Sequence, residues 1–123
     1  RKLGAPWGGT HMSAADVAEW LSEFMDHGER VLTPATAKLM VQNHNPEGFE
    51  SRGLGFDVGR NSGSRGCSDQ TFGHTGSTGT IAWADPDIRA VCVVLTSLPG
   101  RAVEPHPREL AADAVVRGLR LMV

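Results

Sequence analysis

Between residues 14 and 27 the apolar positions fall at Val17, Trp20, Leu21, Phe24 and Met25, a spacing that puts five side chains on one stripe of an α-helix. Ser13 stands where a hydroxyl caps the first turn, Asp16 where a carboxylate meets the positive end of the helix, and Gly28 suits the left-handed residue that ends it. Thr33-Pro34 repeats the start signal and opens a shorter helix through Ala37, Leu39, Met40 and Val41, which Asn45-Pro46-Glu47-Gly48 closes in a turn. The two N-terminal helices thus occupy the stretch 13–44.

Beyond that turn the period changes. Leu54 to Val58, Thr78 to Ala84 and Ala90 to Ser97 are rich in β-branched and aromatic residues, and Asp85-Pro86-Asp87 joins the last two as a turn. They predict an antiparallel meander of about three strands over 53–98. Arg60 to Gly66, polar and rich in glycine and serine, reads as an exposed, mobile loop between the first two strands. After Pro105 and Pro107 a last helix, 107–122, presents Leu110, Ala111, Ala114, Val115, Leu119 and Met122 as the face expected on the sheet. The layout is α+β, with the C-terminal helix packed on the sheet, and three strands leave two edges to be covered. Trp20, Phe24 and Trp83 have the spacing of core side chains rather than of a ligand platform.

Size and charge narrow the classes of function. A chain of 123 residues, 40% hydrophobic, is one globular unit rather than two. A net charge of -2 with scattered basic residues excludes an electrostatic footprint for nucleic acid, and the longest apolar run, Ala90 to Leu95, is far too short for a membrane span. Cys67 and Cys92 match no zinc pattern; they read as unpaired thiols, Cys92 in the core, with a bridge as the lesser alternative. The chain starts at Arg1 without a signal-peptide pattern, so it reads as a segment of a longer chain.

The chemistry is sparse. No Gly-x-Ser-x-Gly elbow, phosphate loop, His-Glu-x-x-His or dinucleotide fingerprint occurs. His11, His27, His44, His74 and His106 never fall at the spacing that puts two metal ligands on one helical face, so neither metal nor cofactor is called for. What remains is residues 72–80, FGHTGSTGT, an imidazole among hydroxyls and glycines. Because Thr80-Ile81-Ala82-Trp83 reads as strand rather than helix, the stretch is no phosphate cradle. Glycines beside a strand instead let a ligand's backbone approach an edge and free N–H groups to meet it.

His74-Thr75-Gly76-Ser77-Thr78-Gly79, preceded by Gly53-Leu54-Gly55-Phe56 and followed by Asp85-Pro86 and Val93 to Ser97, resembles the C-terminal part of the serine beta-lactamase and penicillin-binding-protein-like hydrolases. Ser13 to Ala18 and Val31 to Thr36 resemble that family's two helix openings before the sheet. The resemblance implies acyl transfer through a serine nucleophile, with a Ser-x-x-Lys motif, a Tyr-x-Asn element and a Lys-Thr-Gly or His-Thr-Gly strand. Only the third is present: the chain has no Ser-x-x-Lys and no tyrosine. It also implies that residues outside this sequence supply nucleophile and base, and that this segment is inactive alone. By the same resemblance the N–H of Ser77 is an oxyanion donor, His74 takes the place of a cation or hydrogen-bond donor facing the site, and Thr75, beside Gly76, binds a substrate carboxylate. An imidazole is a weaker cation at pH 7 than a lysine, so a peptidase or esterase fits as well as a beta-lactamase. The expected partners are therefore an acyl substrate and the N-terminal remainder of the same protein. The rival expectation is a non-catalytic module that pairs its sheet edge with another chain.

Overall fold

A computed structural model describes residues 8–26 and 28–122; His27 and Arg1 lie outside them. Helix α1 (Ala14–Met25) starts from a capping box, in which the Ser13 hydroxyl oxygen accepts from the Asp16 N–H at 3.1 Å and the Asp16 carboxylate accepts from the Ser13 N–H. Helix α2 (Pro34–Met40) follows its Thr33 cap with proline in the first turn. The connection between them is held by Glu23, whose Oε1 accepts the backbone N–H groups of Glu29, Arg30 and Val31 at 2.9, 2.9 and 3.0 Å.

Four strands form one antiparallel sheet in sequence order: β1 (Asp57–Val58), β2 (Phe72–Gly76), β3 (Thr80–Asp85) and β4 (Ala90–Val94). The α+β class and the meander are as the sequence predicts. The added strand is β2, FGHTG, whose glycines and polar residues carry little strand propensity. Its place is set instead by register, Phe72 opposite Ala84 through Gly76 opposite Thr80.

Helices cover both faces, which is why β3 and β4 are nearly continuous apolar runs. Ile81, Trp83, Ala90 and Cys92 face helix α3 (Pro107–Leu121) with Ala112 and Val116. Ala84, with Ala82, Val91 and Val93, faces α1, where Leu21, Phe24, Ala37, Phe56 and Phe72 complete a second core. Phe24, Phe56 and Phe72 meet edge to face, with centroids 4.9, 5.4 and 6.3 Å apart. Cys67 and Cys92 are both buried and free.

Three expectations are corrected. The buried face of α3 is Arg108, Ala112 and Val116, with Leu119 partly packed, whereas Leu110 and Val115 are exposed and Met122 more so. Ala112 and Val116 pack with Trp83 in one core, and apolar side chains elsewhere on the helix hid that choice. The loop after Gly59 is solvated only in part: Arg60, Asn61, Arg65 and Gly66 are exposed, but Ser62 and Ser64 are buried, and the Ser64 hydroxyl accepts the Trp83 indole N–H at 2.9 Å. A buried indole N–H requires an acceptor, and serines supply it. Trp20 is not core either; it is 42% exposed and leans edge-on against Phe24. Leu39 of α2 is likewise exposed.

Candidate functional site

The residues picked out by sequence lie on a strand whose outer edge is mostly open. β1 pairs only with Phe72 and Gly73, so His74, Thr75 and Gly76 have β3 on one side and no strand among the described residues on the other. Residues opposite each other across a ladder share a face. His74, opposite Ala82, and Gly76, opposite Thr80, therefore belong to the face turned toward α1. Thr75, opposite Ile81, belongs to the face turned toward α3, so the imidazole and the Thr75 hydroxyl diverge and meet only at the edge between them.

Ser77 begins the turn into β3. The Gly79 N–H closes this turn on the Gly76 carbonyl at 3.0 Å, and the Gly100 N–H holds the Ser77 carbonyl at 3.0 Å. Gly79 has φ +100°, and a side chain there would run into the Leu98 carbonyl and the Thr96 hydroxyl, which itself donates to the Gly79 carbonyl at 2.7 Å. From the α3 side, Arg108 Nη1 donates to the carbonyls of Gly76 and Thr80 at 2.8 and 3.0 Å. His106, fully buried at the helix start, accepts the Arg108 N–H on Nδ1 and donates from Nε2 to the Leu98 carbonyl.

These bonds decide where the Ser77 N–H points. A trans peptide holds its C=O and N–H on opposite sides. The Gly76 carbonyl is turned inward to Gly79 and Arg108, so the N–H of Ser77, in the same peptide, is turned outward; it has no partner among the described residues. Ser77 and Gly76 also line an open cleft of about 520 Å³, walled on its other side by the Gly8–Met12 stretch and Val17.

His74 is exposed and held at both ring nitrogens. Nδ1 lies 2.6 Å from the Thr75 carbonyl, and Nε2 lies 3.4 Å from Arg52 Nη1. Arginine offers only donors, so the pair of contacts is satisfied when Nδ1 carries the proton and Nε2 presents a lone pair. Arg52 also makes an ion pair with Asp57 at 2.6 Å, and its backbone N–H is bound by the Asn43 side chain. Neither Arg52 nor Arg108 is visible in the local pattern, because the groups that each meets at the motif, His74 for Arg52 and the Gly76 and Thr80 carbonyls for Arg108, stand 22 to 32 residues away. One signal for Arg108 did exist, a charge placed four and eight residues before Ala112 and Val116 on the face that packs.

Among the described residues no cluster of His, Cys, Asp and Glu could hold a metal ion, and no helix is long and apolar enough to cross a membrane. The family model described as Beta-lactamase matches residues 1–116. A crystal structure of a beta-lactamase from Mycobacterium bovis is similar in fold, with a TM-score of 0.63 at 23% identity. The alignment covers 85% of this chain but 43% of that one, so the chain spans less than half the length of the matched structure. No curated protein shows significant similarity to the chain.

Proposed function

The chain belongs to the beta-lactamase family, and on that premise we propose that it is the C-terminal part of a serine hydrolase that performs acyl transfer on an ester, a peptide or a beta-lactam. The nucleophile and its base, in Ser-x-x-Lys and Tyr-x-Asn elements, lie in the N-terminal remainder of the protein. Residues 1–123 contribute one wall of the site.

The observation that carries this reading is the N–H of Ser77, turned outward beside the open edge of β2 and without a partner among the described residues. When a serine oxygen attacks an acyl carbon, negative charge develops on the carbonyl oxygen only in the tetrahedral state. A fixed N–H that faces that oxygen, together with the nucleophile's own N–H, stabilises the charge without reorganising; the loss of one such donor raises the barrier by about 3 kcal/mol. Gly76 keeps side-chain bulk away from the approaching acyl group. A substrate lying along the edge meets His74 from one face and Thr75 from the other, so the Thr75 hydroxyl binds a substrate carboxylate while the imidazole, its Nδ1–H held by the Thr75 carbonyl, orients the substrate through the Nε2 side that faces Arg52.

The test is covalent labelling of the intact protein with a fluorescent penicillin and with a fluorophosphonate. Label that is lost when the upstream Ser-x-x-Lys serine is changed to alanine supports the hydrolase. A second reading, a non-catalytic module, rests on the same open edge, which offers backbone groups to an added strand. No label from either probe, and no Ser-x-x-Lys upstream, would favour that module.

A further inference from the structure

We propose that Arg108 is a positioning residue for acyl transfer, acting through the Gly76–Ser77 peptide. The inference rests on the reading of Ser77 as an oxyanion donor and goes beyond it, because Arg108 lies on α3 and reaches the site only through backbone.

Arg108 is 9% exposed, and no carboxylate lies within ion-pair distance of its guanidinium among the described residues. Its Nη1 donates to Gly76 and Thr80, the two residues that close the β2–β3 turn, while its buried Nε has no partner among the described residues. A buried cation without a counter-ion is costly, and two carbonyls offset that cost only in part. As a turn lock it is also redundant, because the Gly79 N–H already closes the turn on the same Gly76 oxygen.

What Arg108 adds is direction and charge. A guanidinium on the Gly76 carbonyl fixes the plane of the peptide whose other end is the Ser77 N–H, and it draws electron density toward that carbonyl. The N–H becomes the stronger donor, and the positive charge lies one peptide unit behind the place where the oxyanion forms. Both effects act on charge that appears only in the transition state, so they favour turnover rather than substrate binding. The Arg108 N–H bonded to His106, and His106 bonded to Leu98, keep the first turn of α3 in register with the loop whose Gly100 holds the Ser77 carbonyl.

The intact protein tests this with Arg108→Met and Arg108→Lys, read in two ways. The first is NMR with glycine labelled at the carbonyl carbon and serine at the amide nitrogen. This chain then contributes two Gly–Ser signals, Gly76–Ser77 and Gly63–Ser64, the latter an internal reference. Arg108→Met is expected to shift the Gly76 carbonyl upfield and to move the Ser77 amide, leaving Gly63–Ser64 in place. The second is kinetics with an acyl substrate that the wild type turns over: kcat should fall about tenfold to a hundredfold with KM within about twofold, and Arg108→Lys should recover part of the loss. An unmoved Gly76–Ser77 signal overturns the proposal, as does a shifted signal with unchanged kcat. A KM rise that accounts for the whole loss overturns it as well. Should Arg108→Met not fold, Arg108→Lys decides by the same signals. A wild-type protein without acyl-transfer activity refutes the hydrolase reading and with it the catalytic role of Arg108, whereas the NMR signals separately report whether Arg108 holds the peptide.

Discussion

The indole N–H of Trp83 donates to the hydroxyl oxygen of Ser64 across 2.9 Å, in a place where both residues are buried. This bond ties the loop after Gly59 to the centre of β3, one strand away from the motif strand. Ser64→Ala leaves the indole N–H without an acceptor and is expected to destabilise the protein by about 1–3 kcal/mol. Denaturant unfolding followed by tryptophan fluorescence measures it. A change below about 0.5 kcal/mol would mean that the loop is held elsewhere.

Glu23 gives stability a dependence on pH. Its carboxylate accepts the N–H of Val31, opposed by burial and helped by the N–H groups of Glu29 and Arg30, and its pKa is lowered from 4.5 to about 2. The folded state therefore binds this proton less readily than the unfolded chain. The contribution is fully present above pH 4.5 and is lost as the pH falls toward 2. Glu23→Gln is expected to be less stable than the wild type at pH 7, with the difference shrinking steadily between pH 5 and pH 2. Unfolding midpoints over that range test it, and a gap that stays constant would exclude ionisation of Glu23 as its source.

How far the fold was legible follows from the range of the interactions that decide each part. Ser13 with Asp16, and Thr33 with Pro34, act over three residues or fewer, so both helix starts are where the sequence places them. Residue pattern alone does not mark β2, because FGHTG lacks the branched apolar side chains of β4, and only the family resemblance puts His74-Thr75-Gly76 on a strand; it is a strand because β3 pairs with it. The buried face of α3 differs from the one that the pattern predicts for a related reason. Its apolar residues surround the helix, and the choice was made by Trp83 below it and by the carbonyls of Gly76 and Thr80, distant residues that no local window contains. For the site, the motif marked Ser77, but the turn bonds that aim its N–H come from Gly79, Gly100 and Arg108.

The corrected face of α3 can be checked by overpacking it. Ala112 is fully buried against the sheet, whereas the pattern alone assigned contact to Ala111 and Ala114, both of which are exposed. Ala112→Leu should cost about 1–3 kcal/mol, because the added methylenes force the helix away from Trp83. Val116→Ala, which removes volume from the same face, should cost about 2 kcal/mol. Thermal unfolding of the two variants, both expected to lower Tm, separates this face from the one that the pattern suggested.

Gly79 joins stability and activity at one position. Its φ of +100° disfavours any side chain, and a methyl group there meets the Leu98 carbonyl and the Thr96 hydroxyl, neither of which is a flexible side-chain end. Gly79→Ala must therefore open the turn, at a cost of about 1–3 kcal/mol from backbone strain alone. The same movement loosens the Gly79 N–H from the Gly76 carbonyl and so removes one of the two donors that hold the Gly76–Ser77 peptide, leaving Arg108 as the other. If Ser77 serves as the oxyanion donor, kcat falls by more than tenfold in the fraction that remains folded. Activity corrected for the folded population, measured well below Tm, is the deciding quantity. A variant that is destabilised but fully active per folded molecule would separate the turn from the chemistry and count against the role assigned to Ser77.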